Sequence, residues 1–170
     1  MAQDRPALPA GLRRAVLEES GYACAIPTCR MTPVEIAHIE PWSKVQEHTF
    51  DNLIALCPNH HTRFDAERRI PASSMHRWKA NLAVLNGRYS DLERRLLEEA
   101  STAPENAAWP IHRSLYLLIR NLLADGIIGR VQNTGPQISF NGQPQEIFVA
   151  ITPKGRDFLR RWKEAEPLTE

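Results

Sequence analysis

The chain has 170 residues, and its 21 basic and 20 acidic side chains give a formal net charge of +1 at pH 7. Hydrophobic residues make up 42% of the sequence, which is enough for a packed core and excludes a wholly disordered chain. The near-zero charge argues against a dedicated non-specific nucleic-acid binder, which carries a clear excess of lysine and arginine.

The length predicts one domain or two small ones. No apolar run reaches the roughly 18 residues that a membrane span requires, and the start of the chain lacks the apolar core of a signal peptide. We therefore expect a cytoplasmic protein without a membrane partner. In that compartment three clustered cysteines are typical of metal ligands rather than of disulfides.

The first predicted element is a short helix over residues 9–21. Leu12, Val16 and Leu17 form its apolar face, and Gly21 is a suitable C-terminal stop. Arg13 and Arg14 lie on this helix as phosphate contacts or, more simply, as part of a solvated face.

Two pairs of metal-ligating residues follow, Cys24 with Cys29 and Cys57 with His60. Pairs of this kind, roughly thirty residues apart, supply four nitrogen and sulfur ligands to one tetrahedral Zn²⁺. Because four protein ligands close the coordination shell, the predicted zinc is structural rather than catalytic.

Two strands and a polar loop lie between the ligand pairs. Residues 33–39 read as a strand with Ile36 and His38 on one face and Glu35 and Ala37 on the other. The loop that follows carries Lys44 and His48, which either face nucleic acid or are simply exposed. Asn52 then precedes a second strand over residues 53–57, as a turn former or in a functional role.

A helix is predicted over residues 58–68, with Pro58 in its first turn. His60 and His61 are adjacent and point about 100° apart on a helix, so one faces the zinc and the other a cleft. His61 and Asp65 are four residues apart and share a face. The pair either holds a divalent cation or makes an ordinary helix-surface contact.

The order His38, Asn52, His61, framed by the two ligand pairs, resembles the HNH endonucleases over about residues 12–70. The resemblance implies a ββα-metal core of two strands, a wide loop and a helix that grips a divalent cation. It assigns His38 as the general base that takes a proton from the attacking water, and Asn52 as the residue that orients it. A neutral imidazole can do this near pH 7.

The resemblance also implies a catalytic Mg²⁺ or Mn²⁺, with Ni²⁺ as a further candidate, on His61 and Asp65. Many members carry aspartate or histidine immediately before the first histidine as a cation ligand, whereas this chain has Ala37 there. Asp65 is the predicted replacement. His60 stands in place of the usual fourth cysteine, which zinc tolerates.

A long amphipathic helix is predicted over residues 73–100. Its apolar residues recur with heptad spacing as Met75, Trp78, Leu82, Leu85, Tyr89, Leu92 and Leu96. This seam over 75–96 either packs on the chain's own core or forms a homodimer, in which two sites could address both strands of a duplex.

The rest of the chain predicts a buried helix over 111–125, strands over 130–132 and 146–151 around a Gly/Pro/Asn loop, and a final helix capped by Thr152. This order is similar to that of winged-helix domains, which suits either DNA binding or a small packing module.

The sequence thus predicts an α+β fold with a zinc-stabilised HNH domain over 8–72, a connecting helix over 73–100 and a winged-helix-like domain over 105–165. The predicted function is metal-dependent hydrolysis of double-stranded DNA, with Lys44, Arg63 and Arg68 as nucleic-acid contacts and no small-molecule cofactor. The alternative is a zinc-stabilised DNA-binding protein or regulator with a degenerate nuclease site.

Overall fold

The computed structural model describes residues 6–132, 135–136 and 138–168, and the chain divides into two compact units. One unit holds the chain up to Val84 together with the segment from Trp162 onward, and the other holds Leu85–Arg161. Helices and strands are both well represented, which confirms the α+β class. In the part of the chain that is described, no helix combines the length and apolar character needed to cross a membrane.

The first unit begins with a ββα arrangement preceded by a helix. Its elements are α1 (Ala10–Glu19), β1 (Glu35–His38), the short α2 (Trp42–Val45), a 3₁₀ turn (Phe50–Asn52), β2 (Leu53–Leu56) and α3 (Pro58–Asp65). Each of the four longer elements lies within its predicted range, with ends that move inward by up to three residues. The predicted order of elements is therefore confirmed for this part of the chain.

Strands β1 and β2 form an antiparallel two-stranded sheet in which Glu35 pairs with Leu56 and His38 pairs with Leu53. One face carries Ala37 and packs in a buried cluster with Cys24, Cys57 and Phe64. The other face carries Ile36 and packs with α1. Since side chains alternate along a strand, Glu35 lies on the face of Ala37 and His38 on the face of Ile36.

Two helices occupy the segment for which one long helix was predicted. Helix α4 (Ala72–Arg88) ends before Tyr89, and α5 (Asp91–Thr102) begins after Ser90. The Ser90 hydroxyl accepts a hydrogen bond from the Glu93 N–H, while the Glu93 carboxylate accepts one from the Ser90 N–H. This capping box starts a new helix at Ser90 and so interrupts the predicted 73–100 helix.

The apolar face of α4 packs inside the chain. Met75 is fully buried in the cluster that contains the cysteines, with Trp78 and Leu82 against its edge. A buried ion pair between Lys79 and Glu19 joins α4 to α1. These contacts favour the intrachain interpretation of the seam, and the homodimer stays a prediction without support.

The second unit contains a three-stranded antiparallel sheet in the order β3–β7–β4. Its elements are β3 (Ala108–His112), a 3₁₀ segment (Arg113–Ile119), α6 (Arg120–Ala124), β4 (Ile128–Val131), the two-residue strands β5 (Ser139–Phe140) and β6 (Gln143–Pro144), β7 (Glu146–Ile151) and α7 (Pro153–Lys163). Strand β7 has the predicted bounds. The predicted loop before it includes residues 133, 134 and 137, which lie outside the described residues.

The buried helix predicted over 111–125 is wrong. That segment is the end of a strand, a 3₁₀ segment and one short helix, and Leu115, Leu117 and Leu118 are exposed in the single chain. A continuous apolar run does not distinguish a buried helix from a strand followed by a turn. The cap on the last helix is confirmed, because the Thr152 hydroxyl accepts a hydrogen bond of 3.0 Å from the Gly155 N–H.

Candidate metal centre and active site

Four potential metal ligands converge in the first unit: Cys24, Cys29, Cys57 and His60. Their ligand atoms all lie within 4.8 Å of one another. The Cys57 Sγ lies 3.3 Å from His60 Nδ1 and the Cys29 Sγ 3.9 Å from the Cys57 Sγ. These separations match those between ligands of one tetrahedral ion with metal–sulfur bonds of about 2.3 Å and metal–nitrogen bonds of about 2.0 Å.

Local structure brings these four side chains together. The segment that contains the first pair is tied to β2 by a hydrogen bond from the Ala25 N–H to the Ala55 carbonyl. Cys57 immediately precedes α3, and His60 lies in the first turn of that helix. The chain thus brings one pair from a turn and one pair from a strand-to-helix junction to the same point.

The surroundings shift the pKa values of two of the thiols, Cys24 and Cys57, in opposite directions. Burial raises the pKa of Cys24 to about 12. Burial also acts to raise the pKa of Cys57, but hydrogen bonds from the His60 N–H, the neighbouring thiols and the Asn59 N–H outweigh it, so the pKa of Cys57 is lowered. Burial lowers the pKa of His60, which favours the neutral imidazole that binds metal. Three thiols and one imidazole are a donor set that can hold a metal such as zinc.

Asn52 connects the two strands just beyond their paired ends. Its side-chain oxygen accepts a hydrogen bond of 2.7 Å from the Glu40 N–H, and its amide donates one of 3.0 Å to the Glu40 carbonyl. Its own carbonyl accepts a hydrogen bond from the Ile39 N–H. Asn52 is buried and therefore fixes the backbone of the two residues that follow His38.

His38 lies in a cluster of rings at the end of β1. The His38 Nε2 is 3.0 Å from the His48 Nδ1, and the His48 Nε2 is 3.0 Å from the Pro6 carbonyl oxygen. Trp42 meets the His38 ring edge-on at 5.9 Å and lies 4.7 Å from the His48 ring. His48 therefore turns toward His38 rather than outward to solvent.

His61 is paired with Glu35 across the face of the sheet that carries Ala37. The His61 Nδ1 lies 2.6 Å from the Glu35 Oε2, with both side chains partly exposed. Asp65 is exposed one turn further along α3. Among residues 6–132, 135–136 and 138–168, the cysteine and histidine cluster is the one group of three or more such ligands that is assembled. In these described residues, His61 and Asp65 are thus not part of any group of three or more potential metal ligands.

The predicted nucleic-acid contacts are all exposed. Arg63 lies in the last turn of α3, and Arg68 follows the helix with a positive φ of 54°. Lys44 makes an ion pair of 3.3 Å with Glu40, which offsets part of its charge.

Sequence reasoning missed two partners in this region. The alternation along β1 already predicts that the Glu35 carboxylate lies on the face of Ala37, but the sequence pattern assigns it no role. For His48 the sequence predicts either a nucleic-acid contact or an exposed loop residue, and not a contact with His38. Its contact with His38 depends on the path of the loop and on the position of Pro6, which the sequence pattern does not specify.

The sheet, the ligand cluster and helix α3 together form a ββα unit with a metal-binding cluster. Residues 24–69 match the family model described as HNH endonuclease, a family whose members are generally nucleases. Comparison with curated proteins and with solved structures gives no significant match. The family match ends before α4, so the winged-helix resemblance stays a prediction.

Proposed function

We propose that the protein is a metal-dependent endonuclease that hydrolyses phosphodiester bonds in double-stranded DNA. The observation that carries the proposal is the setting of His38, an imidazole held at the end of β1 by His48 and Trp42 and followed by a backbone that Asn52 clamps. A base held in this way needs no reorganisation before it accepts a proton from water.

In the proposed reaction His38 removes a proton from water, and the resulting hydroxide attacks the scissile phosphorus. The bond from phosphorus to the 3′-oxygen breaks, the departing oxygen takes a proton from solvent, and the products are a 5′-phosphate and a 3′-hydroxyl. Asn52 acts as a positioning residue through the Glu40 backbone. No atom of Asn52 takes part in the proton transfer.

Glu35 and His61 are the donors best placed to hold a divalent cation, because a carboxylate and an imidazole already lie 2.6 Å apart. Such a cation, when bound, neutralises charge on the scissile phosphate and on the departing 3′-oxygen. Glu35 shares its strand face with Ala37, so it occupies the side of β1 where the family's missing ligand would lie. Asp65, one helical turn from His61, is the second candidate carboxylate.

A DNA strand along the free edge of β1 would reach both groups. In the described part of the chain, β1 pairs with β2 on one side only. Glu35 and His38 are three residues apart, about 10 Å along the strand, and project to opposite faces. The proposal requires a DNA strand along this edge to place its scissile phosphate between His38 and the Glu35–His61 pair, with Arg63, Arg68 and Lys44 as flanking phosphate contacts.

The zinc that we assign to Cys24, Cys29, Cys57 and His60 has a structural role in this proposal. Four protein ligands leave no position for water or substrate. Its contribution is to hold the first turn of α3, and hence His61, against β1 and β2.

One observation favours the alternative function, DNA binding without cleavage. Ala37 is buried and apolar at the position where many HNH endonucleases carry a cation ligand, and it contributes no donor atom. A site left with Glu35 and His61 alone would bind a cation weakly.

Nicking of supercoiled plasmid in Mg²⁺ or Mn²⁺ distinguishes the two functions. We expect the wild type to nick the plasmid and His38→Ala to lose about 10²-fold or more of the rate. The exposed loop variant Glu47→Gln is the matched control and retains full activity. DNA binding without any cleavage by the wild type supports the alternative, and equal cleavage by wild type and His38→Ala removes His38 as the base.

A second pair of variants tests the cation donors. We expect Glu35→Gln to raise the Mn²⁺ concentration required for half-maximal nicking by about tenfold or more, since the carboxylate beside His61 is lost. Asp65→Asn, one turn away, should have the smaller effect. A larger effect of Asp65→Asn than of Glu35→Gln would instead assign the cation to His61 and Asp65, as the sequence alone predicted.

A further inference from the structure

An open groove lies in the second unit between its sheet and the 3₁₀ segment. Its narrower part, a cavity of about 240 Å³, is lined by Arg113, Tyr116, Arg130 and Ile147. An adjoining cavity of about 340 Å³ shares both arginines, and we call the two cavities together the arginine groove. Each volume is several times the roughly 30 Å³ that one water occupies in the liquid, so the groove has room for a larger group.

Neutral partners hold the two arginines at this groove. The Arg113 Nη1 donates a hydrogen bond of 3.4 Å to the Pro144 carbonyl oxygen. The Arg130 guanidinium lies over the Tyr116 ring, 5.0 Å from its centroid, in a cation–π contact. A guanidinium has five N–H donors, and a single contact of either kind leaves most of them available to a ligand.

The positive charges of the arginine groove are not neutralised by ion pairs. In the part of the chain that the structure describes, no carboxylate forms an ion pair with Arg113 or Arg130. Arg95 in α5 differs, because its Nε lies 2.8 Å from the Asp91 carboxylate. The lining of the larger cavity includes one acidic side chain, Glu146. Two guanidiniums and one carboxylate make the groove attractive to an anion.

We infer that the arginine groove binds the phosphate backbone of double-stranded DNA, as a contact additional to the candidate active site in the first unit. Arg113 and Arg130 donate to the free phosphate oxygens, because the planar fork of a guanidinium matches the geometry of a phosphate. The inference rests on the proposed function, which supplies DNA as the polymer.

The lining favours a phosphate backbone over the surface of another protein. Cores of protein–protein interfaces are depleted of charged residues. Three of the eight residues that line the larger cavity are charged, namely Arg113, Arg130 and Glu146. Contacts to phosphate carry no sequence information directly, so we expect this groove to bind duplexes of different sequence equally well.

Fluorescence anisotropy of a labelled duplex tests the groove in the full-length protein, without added Mg²⁺ or Mn²⁺ so that cleavage does not interfere. We expect Arg113→Gln and Arg130→Gln each to weaken binding by about fivefold and to reduce the slope of log affinity against log salt by about one. Arg95→Gln is the matched control, since it removes the same charge from an exposed, ion-paired position. Equal weakening in all three variants would assign the loss to net charge and overturn the inference.

Glu146→Gln supplies a test that misfolding cannot imitate. Its carboxylate lines the same cavity as both guanidiniums and repels a phosphate, so we expect its neutralisation to tighten binding by about threefold. Weaker binding by Glu146→Gln, or wild-type affinity in both arginine variants, would overturn the inference. Sedimentation velocity checks the other occupant: self-association that Arg113→Gln abolishes would assign the groove to a second copy and would also overturn it.

Binding and nicking separate this inference from the proposed function. A protein that binds duplex DNA through Arg113 and Arg130 but nicks no plasmid keeps the arginine groove and loses the nuclease. Conversely, nicking that depends on His38, together with wild-type DNA affinity in both arginine variants, keeps the nuclease and overturns the role of the groove.

Discussion

The sheets of the two units differ in what holds them together. In the first unit β1 and β2 are four residues each, and a two-stranded sheet of this size is marginally stable in water. The Cys24, Cys29, Cys57 and His60 cluster lies at its side and joins a turn, the end of β2 and the start of α3. A metal bound in that cluster would add to the two small buried clusters on the faces of the sheet.

The second unit has a three-stranded sheet and relies on close packing and a buried carboxylate. Glu93 is 1% exposed, and its two oxygens accept hydrogen bonds from the N–H groups of Ser90, Asn121 and Leu122. The single carboxylate thus caps the start of α5 and the first turn of α6. Helix α7 approaches the Ile127 carbonyl at Gly155 so closely that a Cβ there would lie 2.0 Å from the oxygen.

This difference implies that the two units respond to different perturbations. Removal of a metal should act on the first unit, whereas changes of a few atoms at Glu93 or Gly155 should act on the second. Hydrogen exchange followed by mass spectrometry reports on both units in one experiment, since peptides from each are distinguished.

The largest effect is expected from loss of the metal. We expect about one zinc per chain, and chelation or Cys57→Ala should bring the amides of β1 and β2 close to unfolded exchange rates while peptides of β3, β4 and β7 stay protected. Binding of zinc to such sites contributes on the order of 10 kcal/mol, more than the sheet's own packing can supply. Addition of excess Zn²⁺ to the chelated wild type is the control and should restore protection.

A metal-free wild type whose β1 and β2 amides remain protected would contradict this account. The sheet would then be stable through its two buried clusters alone, and the comparison between the units would lose its basis.

The sequence predicts most of the first unit because its signals are local. Cysteine and histidine spacing identifies the cluster, and alternation along β1 separates the face of Ala37 from that of His38. The partners of the two candidate-site histidines, His38 and His61, are not local. Glu35 meets His61 because of how α3 docks on β1, and His48 meets His38 because of how the loop and Pro6 close.

The second unit is less predictable because its signals conflict. The heptad pattern continues through Ser90 and favours one helix, although Ser90 and Glu93 have the spacing of a capping box that ends it. The apolar run after Ile111 suits a buried helix as well as a strand. Tertiary pairing with β7 decides between them, and it selects a strand up to His112.

The next largest effect is expected at Gly155. We expect Gly155→Ala to lower the free energy of unfolding of the second unit by about 3 kcal/mol, because the new Cβ would overlap the Ile127 carbonyl and force α7 outward. Urea denaturation of the metal-loaded protein measures the change. Gly126→Ala is unsuitable as a control because of its positive φ of 69°, so the matched variant is Gly87→Ala, where nothing lies within 4 Å of the added atom.

If Gly155→Ala unfolds at the wild-type urea concentration, close packing of α7 does not limit the stability of the second unit. The buried Glu93 carboxylate alone would then distinguish the stability of the second unit from that of the first, which we expect to depend on the metal.

Replacement of Glu93 should have a smaller effect. Glu93→Gln keeps the size of the side chain but turns an N–H₂ group toward backbone N–H donors, so we expect a loss of about 2 kcal/mol in the free energy of unfolding. Exchange of the Asn121 and Leu122 amides should increase first, since both donate to the Glu93 Oε1. Glu99→Gln, an exposed position on the same helix, is the control and should leave both measurements unchanged. Equal behaviour of the two variants would assign no capping role to the buried carboxylate.

The smallest effects are expected at two exposed helical glycines, one in each unit. Alanine variants at these positions compare the metal dependence of the two units most directly. A Cβ at Gly11 in α1 or at Gly87 in α4 meets nothing within 4 Å, so each alanine variant should gain about 0.5 kcal/mol through backbone entropy. Helix α1 packs on β2, which we expect to unfold without metal. The gain from Gly11→Ala in thermal unfolding should therefore disappear on chelation, whereas the gain from Gly87→Ala should persist. A gain at Gly11 that survives chelation would mean that α1 and its sheet remain folded without the ion, and that the metal is not what holds the first unit together.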